Sequence, residues 1–287
     1  MAGEWSLVAF TIVGQFAVGM YLFIGGPLFL GPAWPGAAAA GARLALLLAV
    51  LACLAVATGL SLFHLHHPLR AYKIFRNLGT SWLSREIFFE LLFLGTTGLL
   101  IFHELKNDGG AGLAKALFVS GGLAGGLFIM AMSRLYMLPA VAAWDHPHTP
   151  LSFGLTSLML GSLASAAYFG LSANRPDFYP VLPTLALVAV GACLVNAALL
   201  APGQGIFGAK SRPSLRPPGA ATSRLHVARI AALSGAAVLL VAGVAAGEGR
   251  ILGIAGRPVV LLASLLLAAA GEVSGRFLFY RLSGRRS

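Results

Sequence analysis

The sequence predicts an all-α polytopic membrane protein, with eight transmembrane helices in a bundle that forms one integral-membrane domain over residues 1–287. Of these residues, 58% are hydrophobic and only 10% are charged, whereas soluble proteins carry about 25% charged residues. A soluble fold of this length could not hide so much apolar surface. The apolar runs are long, and they do not alternate with period two as the strands of a membrane barrel do.

A helix needs about 20 mostly apolar residues to cross the hydrocarbon core of a bilayer, and eight stretches of this sequence meet that length. In chain order, these predicted spans lie near 6–30, 41–64, 84–104, 113–138, 151–173, 179–202, 225–247 and 258–281.

The segments around the spans complete the predicted organisation. The N-terminus lacks the basic region of a secretory signal, so we expect the first span to be retained. The longest connections are 65–83 and 203–224, and the second of these is rich in Pro and Gly, which indicates a flexible loop and not a domain boundary. Small residues recur with the four-residue spacing that lets helix backbones approach closely; these pairs are Gly121 with Gly125, and Gly243 with Gly247.

The net charge of +11 indicates how the chain lies in the membrane. An excess of Lys and Arg flanks membrane spans on the cytoplasmic side. Eleven Lys and Arg lie near span ends on the side of the N-terminus and six on the opposite side, leaving out Arg134, Arg229 and Arg276 within the predicted spans. The count predicts that both termini are cytoplasmic. Because the basic residues are scattered over short loops, we do not expect nucleic-acid binding.

A histidine closes the second span and a carboxylate opens the third. The two spans are joined by a short loop, so their ends must lie at the same membrane face. His64 and Glu86 are therefore predicted to lie at similar depth, near the boundary between hydrocarbon and water. This is a suitable place for chemistry on a lipid-soluble substrate that gains or loses protons.

Further ionisable residues lie inside the predicted spans, where a charged side chain costs at least about 2.5–3.5 kcal/mol. Glu90 follows Glu86 by one turn, Arg134 lies near the end of the fourth span, and Glu272 and Arg276 lie four residues apart in the eighth. Because successive spans cross the membrane in opposite directions, all of these groups are predicted to lie toward the face that bears the N-terminus. For Glu272 and Arg276 the alternative is an intrahelical pair that lowers the cost of inserting both charges.

Metal and haem sites are not expected in this protein. Cys53 and Cys193 lie within apolar runs and show no ligand spacing, so the protein should carry no iron–sulfur cluster of its own. Haem ligation by two histidines needs pairs deep within the spans, whereas all seven histidines lie near predicted span ends. The sequence shows no motif of a soluble nucleophilic enzyme, and we expect no phosphate-binding glycine loop.

Several short motifs occur in one order along the whole sequence. They are Phe10-Thr11-x-x-Gly14-Gln15, His64-Leu-x-x-Pro68-x-Arg70-Ala71, Asn77-x-Gly79-x-Ser81-x-Leu83-Ser84-x-Glu86, Arg134-x-Tyr136 with Pro139, Trp144 and Thr149-Pro150, and Gly271-Glu272-x-x-Gly275-Arg276-x-x-Phe279-Tyr280. In these motifs the protein resembles the integral-membrane anchor subunits of DMSO reductase-type molybdoenzymes, the DmsC family, with the sulfite dehydrogenase membrane subunits as one branch.

The resemblance implies a subunit that carries no catalytic core of its own. It would hold a molybdopterin catalytic subunit and a four-cluster, ferredoxin-like iron–sulfur subunit on the cytoplasmic membrane of a bacterium. It would pass electrons between the quinone pool and the nearest cluster, and it would bind no metal itself. In that family, the residues that match His64 and Glu86 are associated with the binding and oxidation of menaquinol.

From the resemblance and the charges together, we predict a site for menaquinone or ubiquinone among the second, third, fourth and eighth spans. His64 would hydrogen-bond a quinone oxygen, and Glu86 would exchange the proton that accompanies each electron. Residues predicted to support the site are Gln15, Glu90, Arg134, Tyr136, Glu272 and Arg276. Residues predicted to meet the partner subunit are Arg70, Lys73 and Arg76.

The direction of electron flow stays open at this point. The usual family role is to oxidise quinol and feed a reductase, whereas sulfite-oxidising relatives with cytoplasmic catalytic subunits reduce quinone. The charge count favours the second type. The competing class is a stand-alone proton-coupled transporter, which should have broken helices around a midplane site. A membrane enzyme working alone would need a nucleophile set or a metal-ligand cluster.

Overall fold

In the computed structural model, the regular secondary structure of the described part of the sequence is entirely α-helical apart from short turns. The described residues are 2–30, 36–62, 76–106, 110–139, 144–171, 182–199, 220–245 and 258–283. The helices are α1 (Ala2–Leu30), α2 (Gly36–Leu62), α3 (Trp82–Lys106), α4 (Ala111–Tyr136), α5 (His148–Leu171), α6 (Leu182–Ala198), α7 (Ala220–Ala245) and α8 (Pro258–Ser283).

The all-α membrane fold predicted from composition is confirmed. Seven of the described helices are long and apolar enough to cross a membrane, and α6 is a shorter apolar helix of 17 residues. Each predicted span coincides with one helix, and the ends differ by a few residues only. The predicted sixth span, 179–202, extends beyond the residues described around α6.

Local sequence explains where several helices begin. Ser81 precedes α3, and its Oγ accepts a hydrogen bond from the backbone N–H of Ser84 at 3.3 Å, which caps the helix. Prolines occupy the first turns of three helices, where a missing N–H removes no intrahelical bond. They are Pro150 in α5, Pro183 in α6 and Pro258 in α8.

The protein divides into two compact units, Met1–Tyr136 with α1–α4 and Met137–Ser287 with α5–α8. In each unit every helix contacts the next one in sequence, and the first helix also contacts the last. Each unit is therefore a closed four-helix arrangement. The prediction of a single integral-membrane domain over 1–287 stays a prediction.

In the first unit, glycines let α4 approach α1. A Cβ at Gly121 would lie 2.7 Å from Cζ of Tyr21, and one at Gly125 would lie 3.2 Å from Cγ1 of Val18. Tyr21 is fully buried, stacks on Phe118 at 4.9 Å and places its hydroxyl 3.2 Å from the Phe118 carbonyl oxygen. The packing role predicted for Gly121 and Gly125 is confirmed. The packing role predicted for Gly243 and Gly247 stays a prediction, because neither position is among the residues whose surroundings are described.

Polar contacts join α2 and α3 near both of their ends. Nη2 of Arg43 donates to Oε2 of Glu104 at 2.6 Å, and the Thr58 hydroxyl lies 2.7 Å from Oε1 of Glu90. Arg43 lies in the first half of α2 and Thr58 near its end, whereas Glu90 lies in the first half of α3 and Glu104 near its end, so the two contacts define an antiparallel pair. Because α2 and α3 are antiparallel, Glu86 and Glu90 in the first half of α3 lie at the same end of the first unit as the end of α2.

Candidate functional site

Two buried carboxyl groups mark one end of the first unit. Glu86 and Glu90 lie one turn apart on α3, and each is only 2% exposed. Residues four apart share a helix face, which puts both groups on the side of α3 that is turned into the unit. Burying two carboxyl groups in a membrane-spanning helix is costly unless they are paired, hydrogen-bonded or able to hold a proton.

The hydroxyl of Thr58 in α2 lies within hydrogen-bond distance of both Glu90 and a backbone carbonyl oxygen, and it can donate its one hydrogen to only one of them at a time. The Thr58 hydroxyl lies 2.7 Å from Oε1 of Glu90 and 2.9 Å from the backbone carbonyl oxygen of Leu54. A hydroxyl has one hydrogen to donate and two lone pairs that accept. If that hydrogen goes to Leu54, a protonated Glu90 can donate to the Thr58 oxygen in turn. Glu90 therefore has a partner in both of its protonation states.

The supporting residues predicted in the first unit differ in their exposure. Gln15 is fully buried, and its Nε2 lies 3.8 Å from Sδ of Met132 on α4. Tyr136 is buried at the end of α4, whereas Arg134, two residues earlier, is exposed. Arg134 thus turns away from the interior of the unit in which Gln15 and Tyr136 lie.

Three of the predicted residues, His64, Arg70 and Lys73, lie outside the described residues. Arg76 is described and exposed. Arg85 holds the turn that precedes α3: its Nε and Nη2 donate to the carbonyl oxygens of Leu78 and Gly79, each at 2.7 Å. This turn is thus anchored to the helix that carries Glu86.

The second unit contains a buried polar cluster built around Glu272, which is 1% exposed. Its Oε1 accepts hydrogen bonds from Nδ2 of Asn196 at 2.9 Å and from Nη2 of Arg229 at 3.1 Å. Its Oε2 accepts one from the Thr156 hydroxyl at 2.7 Å. The side-chain amide oxygen Oδ1 of Asn196 also accepts from Nη2 of Arg229, at 3.2 Å, and from the Ser152 hydroxyl, at 3.0 Å. One residue from each of α6, α7 and α8, and two from α5, meet in this cluster.

Glycine makes room for the arginine of this cluster. A Cβ at Gly275 would lie 2.6 Å from Cζ of Arg229, so the guanidinium lies directly against the backbone of α8. The ion pair that Glu272 forms with Arg229 joins α8 to α7. The intrahelical pair of Glu272 and Arg276 stays a prediction. Arg276 is 4% exposed and places its guanidinium carbon 3.7 Å from the ring centroid of Phe153.

A small cleft opens beside this cluster, with a volume of about 50 Å³. Its walls come from the first turns of α5 and from α7 and α8, and they include His148, Ser152, Arg229, Glu272, Gly275 and Arg276. We call it the α5–α8 cleft. A water molecule needs about 10–15 Å³ of such space, so the cleft admits one small group and not a ring system.

Among the described residues, no three His, Cys, Asp or Glu side chains lie close enough together to hold a metal ion. That the protein binds no metal stays a prediction. Cys53 and Cys193 are both free thiols in the described part of the sequence, in α2 and α6.

The family comparison decides what kind of subunit carries these two polar clusters. The sequence model of the DMSO reductase anchor subunit (DmsC) matches residues 1–282. The chain belongs to the DmsC family of anchor subunits.

Curated relatives agree with this assignment. The anchor subunit is 29% identical, over 97% of its length and 94% of the relative, to the YnfH subunit of an anaerobic dimethyl sulfoxide reductase of Escherichia coli (strain K12). It is 26% identical to the C subunit of the anaerobic dimethyl sulfoxide reductase from that organism and 28% identical to the C subunit from Haemophilus influenzae, with the same coverage. No solved structure matches the protein. The resemblance predicted from the sequence motifs is confirmed.

The three direct partners of Glu272 in the anchor subunit's second cluster were not singled out from the sequence as site candidates: Thr156, Asn196 and Arg229. Arg229 carried a usable signal, because an ionisable residue within an apolar span is a functional candidate by default. Thr156 and Asn196 are neutral, and threonine in particular is common in membrane helices. Only the adjacency of α5, α6 and α8 shows that they meet Glu272.

Proposed function

We propose that this anchor subunit holds a molybdopterin catalytic subunit and an iron–sulfur subunit on the cytoplasmic membrane of a bacterium. It would pass electrons between the quinone pool and the iron–sulfur subunit. The relatives named as subunits of an anaerobic dimethyl sulfoxide reductase favour oxidation of quinol over reduction of quinone. Family membership supports the anchoring role, and the quinone chemistry rests on the residues of the first unit.

The observation that carries the quinone proposal is the buried pair of Glu86 and Glu90 at the start of α3. Quinol oxidation releases two protons and two electrons, so its site needs proton acceptors in a place that a lipid-soluble ring can reach. Carboxyl groups inside a membrane-spanning helix would supply such acceptors within the membrane. His64, two residues beyond the end of α2 in the sequence, is the imidazole that we assign to the same site.

The proposed steps assign one task to each group. His64 accepts a hydrogen bond from one quinol hydroxyl and takes its proton. Glu86 takes the proton of the other hydroxyl, and Glu90 with Thr58 receives a proton from Glu86 one turn deeper in the unit. Both electrons leave for the iron–sulfur subunit as the quinol becomes quinone. Arg70, Lys73 and Arg76 contact that partner through their positive charges.

The remaining residues of the predicted site stay predictions at this level of detail. Gln15 and Tyr136 are buried polar groups of the first unit and would orient the ring. Arg134, Glu272 and Arg276 would compensate charge.

The test is quinol oxidation by the complete complex carrying Glu86→Gln or His64→Ala. We expect the rate of quinol-dependent substrate reduction to fall by about 100-fold or more, since general acid–base groups contribute 10²–10⁴-fold. Activity with an artificial electron donor that reaches the catalytic subunit directly should remain. Co-purification of all subunits should also remain.

Glu104→Gln is the matched control, because it makes the same change near the other end of α3, where Glu104 pairs with Arg43. This variant should keep the quinol-dependent rate. Equal loss in Glu86→Gln and Glu104→Gln would show a general defect of α3. Loss of the partner subunits in Glu86→Gln or His64→Ala would show that the two residues are structural.

A further inference from the structure

We propose that the face of α3 that packs against α2 carries a proton path, which runs from Glu90 past Thr97 to the membrane face at which α3 ends. We call the contact between these two helices the α2–α3 seam. Its ends are the contact of Thr58 with Glu90 and the ion pair of Arg43 with Glu104. The inference rests on the proposed quinol oxidation at the start of α3, and it states where one proton of the quinol leaves the protein.

Polar side chains lie at three levels on this face of α3. Thr97 follows Glu90 by two helical turns, and Glu104 follows Thr97 by two more, so the three residues share one face of the helix. With a rise of about 1.5 Å per residue, Thr97 lies roughly 10 Å along the axis from either glutamate. The whole of α3 is long and apolar enough to cross a membrane. Thr97 therefore lies near the middle of the span.

The hydroxyl group of Thr97 is buried without a partner. The residue is fully buried, and its Oγ1 has no hydrogen-bond partner among the described residues. A threonine in a helix commonly bonds to the carbonyl oxygen four residues earlier, which here belongs to Phe93. That oxygen already accepts from the Thr96 hydroxyl at 3.0 Å. Because buried polar groups are almost always bonded to protein or to ordered water, a water molecule is required at Thr97.

The opposite wall of the seam is apolar. The buried residues of α2 between Arg43 and Thr58 have no polar side chains; they are Leu46, Leu47, Val50, Leu54 and Ala57. A water molecule needs polar partners to be held inside a protein, and Thr97 supplies one in the middle of the seam. Replacing Thr97 by an apolar residue would therefore break a row of waters along α3.

The far end of the seam lies near the membrane surface. The side chains of Arg43 and Glu104 are 20% and 8% exposed, and α3 ends just beyond them at Lys106. Nε of Arg43 is buried and has no hydrogen-bond partner in the described part of the chain. It offers a donor to the last water of the row.

The proposed transfer conserves protons and electrons. Oxidation of one quinol releases two protons and two electrons, and both electrons pass to the iron–sulfur subunit. The proton that Glu86 takes passes to Glu90 and then to about three waters, which at hydrogen-bond spacing cover the roughly 10 Å to Thr97. The Thr97 hydroxyl accepts from one water and donates to the next. The proton leaves at the far end, where the ion pair marks the exit without taking it up, and the proton on His64 leaves at the face of the α2–α3 loop.

The test uses the complete complex in sealed vesicles with menaquinol in the membrane and a pH-sensitive dye trapped inside. Ferricyanide, added outside, does not cross the membrane and consumes no proton, so only complexes whose iron–sulfur subunit faces outward pass electrons to it. Vesicles without protein give the blank for direct oxidation, and valinomycin with potassium removes the membrane potential. The quantity measured is the number of protons released inside for each quinol oxidised, which is independent of the rate.

We expect the wild-type complex to release one proton inside for each quinol. Thr97→Val keeps the shape of the side chain and removes the hydroxyl, so it should lose most of this release. Thr97→Ser, which keeps the hydroxyl, should retain it. Thr11→Val is the matched control, because Thr11 is buried in the same unit and its hydroxyl donates to the Val8 carbonyl oxygen at 3.0 Å. It should behave like the wild type, and so should Glu104→Gln.

Several results would contradict the path. Release of all protons outside by a wild-type complex that oxidises quinol would overturn the path alone, whereas a wild-type complex that oxidises no quinol would overturn the proposed function and the path with it. An unchanged ratio in Thr97→Val, or an equal loss in Thr11→Val, would show that Thr97 carries no proton. If Thr97→Val does not assemble, Thr97→Ala and Thr97→Ser decide, because only Thr97→Ala should lose the release inside.

Discussion

Glu90 and Glu272 are both buried carboxyl groups in membrane-spanning helices, but they have chemically different partners. Glu272 accepts hydrogen bonds from a cation, an amide and a hydroxyl, which together satisfy both of its oxygens. Glu90 is contacted by the neutral hydroxyl of Thr58, which can donate or accept. The difference gives Glu272 a fixed set of partners within the second unit and leaves Glu90 suited to gain and lose a proton.

Gly275 is predicted to be essential for the ion pair in the second unit. In Gly275→Ala the new methyl group would lie 2.6 Å from the Arg229 guanidinium carbon, so the guanidinium must move. Because removing one partner of a buried ion pair costs about 3–5 kcal/mol, we expect a loss of stability approaching that size. Thermal unfolding of the purified protein measures it.

Gly191→Ala in α6 is the matched control. Gly191 is exposed, and a Cβ there would meet nothing within 4 Å. Replacing glycine by alanine at such a helical site changes stability by less than about 1 kcal/mol, in the favourable direction. Equal stability of Gly275→Ala and Gly191→Ala would show that Arg229 is not held against Gly275.

Helix α4 approaches α1 closely because Gly121 leaves room for the Tyr21 ring. We therefore expect Gly121→Ala to displace Tyr21 from its stack on Phe118 and from its edge contact with Phe93. Overpacking of this kind costs about 1–3 kcal/mol. The measurement is the thermal stability of the assembled subunit in detergent.

The control for this element lies on the same helix. Gly126 is exposed and has open space around its Cβ position, so Gly126→Ala should be neutral or slightly stabilising. A destabilisation shared by Gly121→Ala and Gly126→Ala would instead indicate that α4 as a whole tolerates no change.

For the whole molecule, the sequence predicted the fold well because long apolar runs leave a membrane protein few choices other than helices. It also singled out Glu86, Glu90, Glu272 and Arg276, since ionisable residues stand out in such runs, and all four are buried; their roles at a quinone site stay predictions. The interhelical partners could not be predicted in this way. That Arg229 pairs with Glu272 depends on which helices are neighbours. The order of the spans along the sequence predicts the membrane face near which a residue lies, but it does not predict which helices pack together.

The last prediction concerns the orientation of the whole protein. The bias of Lys and Arg toward the side of the N-terminus predicts that this side is cytoplasmic. A fluorescent protein fused after Ser287 should therefore be fluorescent, and alkaline phosphatase fused there should be inactive. Alkaline phosphatase fused after Lys106, at the end of α3, should be active, because that end faces the opposite side.

The orientation also bears on the partners. The loop between α2 and α3 lies on the predicted cytoplasmic side, so an iron–sulfur subunit that docks on Arg70, Lys73 and Arg76 would be cytoplasmic as well. The reverse pattern of fusion activities would place this loop and its partner on the outer side of the membrane. Under the proposed function, the pair of fusions thus determines at which membrane face electrons would pass between the quinone pool and the iron–sulfur subunit.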